Sequence, residues 1–213
     1  MANPIEYIGG LPFEVNASGR YLINNVPYES VRDGMVLYSS ELVAAAAFPG
    51  QIAFFQTPVG QTTAGGLACT RQNTNMTQVA KLAPGHRCMV RAMALELRSD
   101  VGSRTAANQN ALYTNCTFNF QLFDKMLWKE QLLQHLPSAS GVWSDHTSTA
   151  GTEVNIMNCL PTADNVFWLS NVIDLDEKVT FKVVINNWAA WNWAGAATMF
   201  IMKLFGVEAR ILA

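Results

Sequence analysis

Charged side chains are scarce in this sequence. Of its 213 residues, 14% are charged and 50% are hydrophobic, and the formal net charge at pH 7 is −2. Soluble globular proteins ordinarily contain about 25% charged residues. Depletion of charge is typical of subunits in obligate assemblies, because their interfaces resemble the interior of a domain. A monomer with a large core and polar, uncharged loops remains the alternative, since Asn, Gln, Ser and Thr are plentiful.

A basic segment is also missing. The Lys and Arg residues are scattered along the chain, which argues against a nucleic-acid-binding surface. The first 15 residues lack the basic start and the apolar run of a secretory signal, so export by that route is not expected.

The common catalytic motifs are absent. The sequence contains no GxGxxG, Walker loop, HExxH or GxSxG, the signatures of phosphate binding, metal-assisted hydrolysis and acyl transfer. All three histidines fall in predicted loops, and Asp145-His146 with Glu153 is better explained as a solvated loop than as a metal or acid/base site. Asp174 and Asp176 would share a face of an extended segment, but a charged turn is a simpler interpretation than a glycosidase pair. We therefore predict no enzymatic activity, catalytic residue, cofactor or metal site.

Closely spaced cysteines are lacking as well. Cys69, Cys88, Cys116 and Cys159 show neither CxxC nor Cys/His metal-site spacing. We interpret them as small hydrophobic residues of the core. Two disulfides are the alternative if the protein belongs to an extracellular particle.

Residues 1–48 differ from the rest of the chain. Residues 11–28 mix Asn, Pro and Gly with isolated apolar residues, and in residues 29–48 Glu41 leads into a run of alanines. The second segment includes the best helix candidate, although Gly34 and the β-branched residues weaken it. We predict an N-terminal arm with a short helix over residues 1–48, followed by a single domain over residues 49–213.

From residue 49 onwards the pattern predicts strands separated by turns. Residues 87–98 are apolar and bounded by turn residues, while residues 115–123 and 179–185 alternate between apolar and polar. Further strands are predicted at 51–56, 125–129, 153–159, 166–169 and 198–205. About eight strands joined by long loops favour a single jelly-roll, or Greek-key, β-sandwich over a meander.

The uncharged stretch of residues 183–202 has the length of a membrane span. Its three asparagines and its alternating flanks favour two strands joined by a tryptophan-rich loop. That loop contains the three interface or ligand-contact candidates of the sequence, Trp188, Trp191 and Trp193. Clustered indoles serve in the core, between subunits, as platforms for sugars or at a lipid surface. All four roles remain open.

A series of segments over residues 50–205 resembles a known group of proteins. The segments are, in order, Ile52-Ala53-Phe54-Phe55, Thr74-Asn75-Met76, residues 82–90, residues 123–128, Leu136-Pro137, and residues 169–176 ahead of Val179-Thr180-Phe181. Their order resembles the single jelly-roll capsid proteins of tailless, membrane-containing icosahedral viruses of bacteria and archaea. The similarity is one of pattern, without a diagnostic motif.

The resemblance implies a capsid subunit whose jelly roll stands upright in a capsomer, over an internal lipid bilayer. The partners implied are copies of itself, other virion proteins and an internal viral membrane, with no direct nucleic-acid contact. The location implied is the virion shell, assembled in the host cytoplasm. The alternative is a carbohydrate-binding jelly-roll module, or a receptor-binding virion component, that uses the loop from Trp188 to Trp193.

Overall fold

The computed structural model describes residues 4–99, 106–137, 166–195 and 197–211. In these residues the chain forms antiparallel sheets and one α-helix, α1 (Ala106–Asn115). The strands are β1 (Ile5–Ile8), β2 (Leu11–Val15), β3 (Tyr21–Ile23), β4 (Val26–Tyr28), β5 (Ser30–Val43), β6 (Gln51–Phe54), β7 (His86–Ser99), β8 (Cys116–Leu122), β9 (Lys125–Leu132), β10 (Phe167–Asp176), β11 (Phe181–Asn187) and β12 (Thr198–Arg210).

Two four-stranded sheets form a sandwich. Their strand orders are β10-β7-β12-β5 and β6-β11-β8-β9. The side chains that alternate inwards from both sheets build one core, in which the largest fully buried residues include Phe54, Phe118, Phe120, Phe181 and Phe200. The mostly β, antiparallel architecture agrees with the prediction of an all-β sandwich.

Strand β12 changes its inward face halfway along. Phe200, Met202 and Leu204 face the main core, but Val207 and Ala209 belong to a second, smaller core. The switch occurs at a register shift between Phe205 and Gly206. A Cβ at Gly206 would lie 2.2 Å from the carbonyl oxygen of Met89, so the close approach of β12 to β7 requires glycine.

The first four strands form the third sheet, in the order β1-β2-β3-β4. Phe13 and Tyr28 from this sheet pack on Met89, Val207 and Ala209. Residues 5–28 therefore cover one end of a sheet of their own chain, on the face opposite to the main core. Over this part of the chain, the predicted N-terminal arm of residues 1–48 is a folded sheet that packs on the sandwich.

The predicted helix within residues 29–48 is also wrong. Ser30–Val43 is strand β5, and it pairs with β12 along almost its whole length. Leu37, Ser39, Glu41 and Val43 alternate into the sandwich and are buried. The long pairing partner β12 overrides the weak local helix propensity of this segment.

The later strand predictions agree more closely. Every predicted strand from residue 51 onwards overlaps an observed strand, except residues 153–159, which lie outside the described residues. Strand β10 runs on to Asp176, where we predicted a charged turn. The segment of residues 183–202 does contain two strands joined by a loop, and in the part of the chain that the structure describes no helix is long and apolar enough to cross a membrane.

The cysteine prediction is confirmed for three residues. Cys69, Cys88 and Cys116 are buried and free. Burial raises the pKa of the Cys88 and Cys116 thiols to about 12, so both remain protonated, unreactive core residues. Cys159 lies outside the described residues.

Candidate functional site

The tryptophan-rich loop joins β11 to β12 at one end of the sandwich. Trp193 is 3% exposed, and its indole N–H donates a hydrogen bond of 2.9 Å to Oγ1 of Thr198. Its ring lies edge-on to Phe200, with 5.3 Å between the ring centroids. Trp193 therefore closes the end of the main core.

Trp191 links this loop to the segment between β5 and β6. Its ring stacks on Phe48 with the centroids 4.4 Å apart and the planes inclined by 15°. Two backbone hydrogen bonds of 2.9 Å, from Phe48 N–H to the Trp191 carbonyl and from Trp193 N–H to the Ala46 carbonyl, join the two segments. The indole N–H donates to Oδ1 of Asn187. Trp191 thus serves mainly to hold two loops together.

Trp188 is the exposed member of the group. Its side chain is 64% exposed, and its indole N–H donates a 2.8 Å hydrogen bond to Oγ1 of Thr117. Its backbone N–H is bound to the carbonyl of Asn115. These two contacts fix the ring against the start of β8 while leaving it accessible. The three indoles therefore do not form one platform, and Trp188 alone presents an aromatic surface.

The two aspartates of the sequence hypothesis have structural partners. Asp174 forms a two-point ion pair with Arg87, whose side chain is 7% exposed. The hydrogen bonds that Arg87 donates to Asp174 raise the pKa of Arg87, although burial acts in the opposite direction. Oδ1 of Asp176 accepts hydrogen bonds from the backbone N–H groups of Lys178 and Val179, and so closes the turn before β11.

Replacing Asp174 with asparagine is expected to lower the free energy of unfolding by about 1–2 kcal/mol. The change removes the charged partner of a buried guanidinium, and the 42% exposure of Asp174 moderates the cost through solvent screening. Urea unfolding of Asp174→Asn, beside the exposed control Asp124→Asn, measures the effect. Equal stability of the two variants would contradict a structural role for Asp174.

The two histidines that the structure describes, His86 and His135, do not converge on a site. His86, predicted in a loop, begins strand β7, and its Nδ1 lies 2.8 Å from Oε1 of Glu208. His135 ends a short 3-10 helix, Leu133–His135. Among the residues that the structure describes, no group of three or more His, Cys, Asp or Glu side chains is placed to hold a metal ion. Asp145, His146 and Glu153 lie outside these residues.

Glu41 is a buried carboxyl that the sequence did not single out as a site. It is 6% exposed on β5. Burial raises its pKa to about 7, although hydrogen bonds from the Thr63 side chain and the Gly65 backbone act in the opposite direction. It lines a groove of about 460 Å³ between β5 and β6, together with small and apolar residues such as Ala47, Pro49 and Ala53. The only signal in the sequence was a lone carboxyl among the apolar residues near the end of β5.

The side of the sandwich formed by β9 and β10 also went unnoticed in the sequence. Five large apolar side chains on these two strands are exposed: Met126, Leu127, Leu132, Trp168 and Val172. Met126 and Leu132 pair with Gln121 and Thr117 on the outer face of one sheet, whereas Trp168 pairs with Ala92 on the other sheet. The two strands therefore expose apolar side chains on both outer faces of the sandwich, and Trp188 is exposed at its end.

Comparison with known proteins adds no further assignment. No protein-family model, curated protein or solved structure matches the chain. The function is therefore inferred from the fold and from the surfaces described above.

Proposed function

We propose that the chain is a capsid subunit that assembles with copies of itself into the shell of an icosahedral virus. The observation that carries the proposal is the strand order of the sandwich. Counted from β5 to β12, one sheet holds the sixth, third, eighth and first strands, and the other holds the second, seventh, fourth and fifth. Such interleaving of early and late strands supports a jelly roll built from two Greek keys.

Jelly rolls occur in both capsids and lectins, so the fold alone does not distinguish the two functions. The choice between them rests on the surface of this chain. Two properties favour assembly. The chain has 14% charged residues, and five large apolar side chains on the strands β9 and β10 are exposed. Neutral, partly apolar surfaces are suited to permanent contact with another protein.

The distribution of basic residues supports a shell that does not hold nucleic acid directly. Counterion release from DNA or RNA requires Lys and Arg side chains that are free to contact phosphates. Many basic side chains of this chain instead form ion pairs with carboxylates: Arg20 with Glu29, Arg87 with Asp174, Arg91 with Asp33, Arg98 and Lys203 with Glu96, and Arg210 with Glu208. We infer that a membrane or other virion proteins line the inside of the shell.

The purified protein is expected to form closed oligomers or shells. Light scattering and negative-stain microscopy, over a range of salt, pH and protein concentration, measure the mass and the shape. Capsomer-sized rings, sheets or particles would support the proposal. A compact monomer of 23.4 kDa under all conditions would overturn it.

Carbohydrate binding through Trp188 is the second candidate function. The observation in its favour is an indole that is 64% exposed and held in place by its hydrogen bond to Thr117, since a fixed aromatic face suits stacking on a sugar ring. Binding to a glycan array that is lost in Trp188→Ala, retained in Trp188→Phe and independent of the assembly state would favour this candidate over the capsid.

A further inference from the structure

The groove of about 460 Å³ between β5 and β6 has walls that the fold holds in place. We call it the β5–β6 groove. On one side, a backbone hydrogen bond of 2.9 Å from the Phe48 N–H to the Trp191 carbonyl fixes the segment that joins the two strands. On another side, Gly65 packs directly against Leu42 of β5. The groove has the size of pockets that bind small molecules, and a pocket formed in advance costs little to order on binding.

The lining of the β5–β6 groove is largely apolar and almost free of charge. Small apolar residues supply much of it: Ala44, Ala47, Pro49, Ala53 and Ala64. Among the described residues that line the groove, Glu41 is the one with an ionisable side chain. Such a lining suits a molecule with an apolar body and a single polar group that complements a carboxyl.

The carboxyl of Glu41 has acceptor positions left for a ligand. It accepts hydrogen bonds from the Thr63 side chain and the Gly65 backbone, whereas a carboxylate offers about four acceptor positions. Burial raises its pKa to about 7, and no basic side chain of the described residues contributes to this pKa. A buried carboxylate is costly unless a cation pairs with it. The chemical group that this position favours is therefore a cationic donor.

Gln56 provides a second polar group in the lining. Its Nε2 is buried and has no hydrogen-bond partner in the part of the chain that the structure describes. Native proteins leave few buried polar groups unpaired. A molecule that fills the groove and carries an acceptor atom can supply this partner.

We propose that the β5–β6 groove binds a small aliphatic amine, with its ammonium group on the Glu41 carboxylate and its apolar body along Ala47, Pro49 and Ala53. The ammonium group supplies the positive charge and the donors that the carboxyl lacks, and the alkyl body removes apolar wall from water. This binding goes beyond the capsid function and does not depend on the assembly state of the protein.

Hexylamine is the probe that tests the groove, and 1-hexanol is its neutral control of the same length. In isothermal titration calorimetry at pH 8, the wild type is expected to bind hexylamine about 10- to 100-fold more tightly than 1-hexanol, the ratio given by one charge-assisted hydrogen bond. Equal affinities, or no binding of hexylamine, would overturn the inference.

Glu41→Gln locates the charge that the amine recognises. The variant is expected to bind hexylamine no more tightly than 1-hexanol, whereas Glu130→Gln, which changes an exposed carboxylate on β9, binds both probes like the wild type. Urea unfolding checks that both variants are folded. Undiminished binding of hexylamine to Glu41→Gln would overturn the inference, and light scattering of the same samples tests the capsid proposal separately.

The pH and the width of the groove give two further readouts. At pH 5 Glu41 is neutral, so the affinity of the wild type for hexylamine is expected to fall by about 10-fold or more while that for 1-hexanol stays constant. The nearby Cys69 thiol stays protonated at both pH values. Ala64→Leu, at an exposed position of the lining, narrows the groove and is expected to weaken both probes. Unchanged binding of both probes to Ala64→Leu would place them elsewhere and overturn the inference.

Discussion

Trp193→Ala is expected to lower the free energy of unfolding by about 3–5 kcal/mol, the range observed for deletion of a buried aromatic ring. Trp193 is 3% exposed and packs against Phe48 and Phe200, with ring centroids 6.0 and 5.3 Å away. Its loss would also remove a donor from the buried hydroxyl of Thr198. Urea unfolding followed by circular dichroism measures the change.

Trp188→Ala, in the same loop, is the matched control. Its ring is 64% exposed, so the substitution removes little buried area and one hydrogen bond, and the expected cost is below about 1 kcal/mol. The difference in unfolding free energy between the two variants shows how much more Trp193 stabilises the fold than Trp188 does. Equal costs would contradict the assignment of Trp193 to the core and Trp188 to the surface, and the two indoles would then stabilise the loop together.

The strands that could be predicted from the sequence are those in which apolar and polar residues alternate. Residues 115–123 and 179–185 alternate between apolar and polar, and the structure places β8 and β11 there. Helix α1 gave no such signal, because AANQNALYTN has no continuous apolar face. Its fixed position depends on a distant contact, in which Asn108 donates a hydrogen bond to the Ala194 carbonyl and accepts one from the Ala194 N–H.

The incorrect helix prediction shows where local sequence patterns fail, because long-range strand pairing can override them. In residues 29–48, Glu41 and the following alanines favour a helix locally, but the pairing with β12 decides the outcome. That partner lies more than 150 residues away in sequence, so no local pattern could reveal it. A β-sandwich depends on such long-range pairs more than a helical bundle does.

The candidate site was predictable as a set of residues but not as an arrangement. The sequence identified Trp188, Trp191 and Trp193 as a group. Their separation into buried and exposed members depends on Phe48, which reaches Trp191 from another loop. The exposed apolar side chains of β9 and β10 could not be recognised either, because exposure at an edge follows from the strand order of both sheets.

The buried carboxyl of Glu41 is expected to make the protein less stable as the pH rises from about 5 to 8. Burial raises its pKa in the folded state to about 7, from an ordinary value of 4.5. Between these values the folded state binds more protons than the unfolded state, so the free energy of unfolding falls with rising pH. The full loss above pH 7 is on the order of 3 kcal/mol.

Glu41→Gln is the variant that isolates this effect. The amide keeps the size of the side chain but does not ionise, so the variant is expected to exceed the wild type by about 2–3 kcal/mol at pH 8 and to differ little at pH 5. The neighbouring thiol of Cys69 does not interfere, because burial and the Glu41 charge raise its pKa above 9.0. Urea unfolding of both proteins at several pH values measures the difference.

The segment of Gly65 packs closely against the strand that carries Glu41. A Cβ at Gly65 would lie 1.9 Å from the carbonyl oxygen of Leu42, so this segment lies directly against β5. Ionisation must therefore either leave a charge beside the apolar lining of the groove or separate the segment from the strand. If the wild type and Glu41→Gln lose stability in parallel from pH 5 to 8, the carboxyl is hydrated from the groove in the folded protein and burial does not raise its pKa.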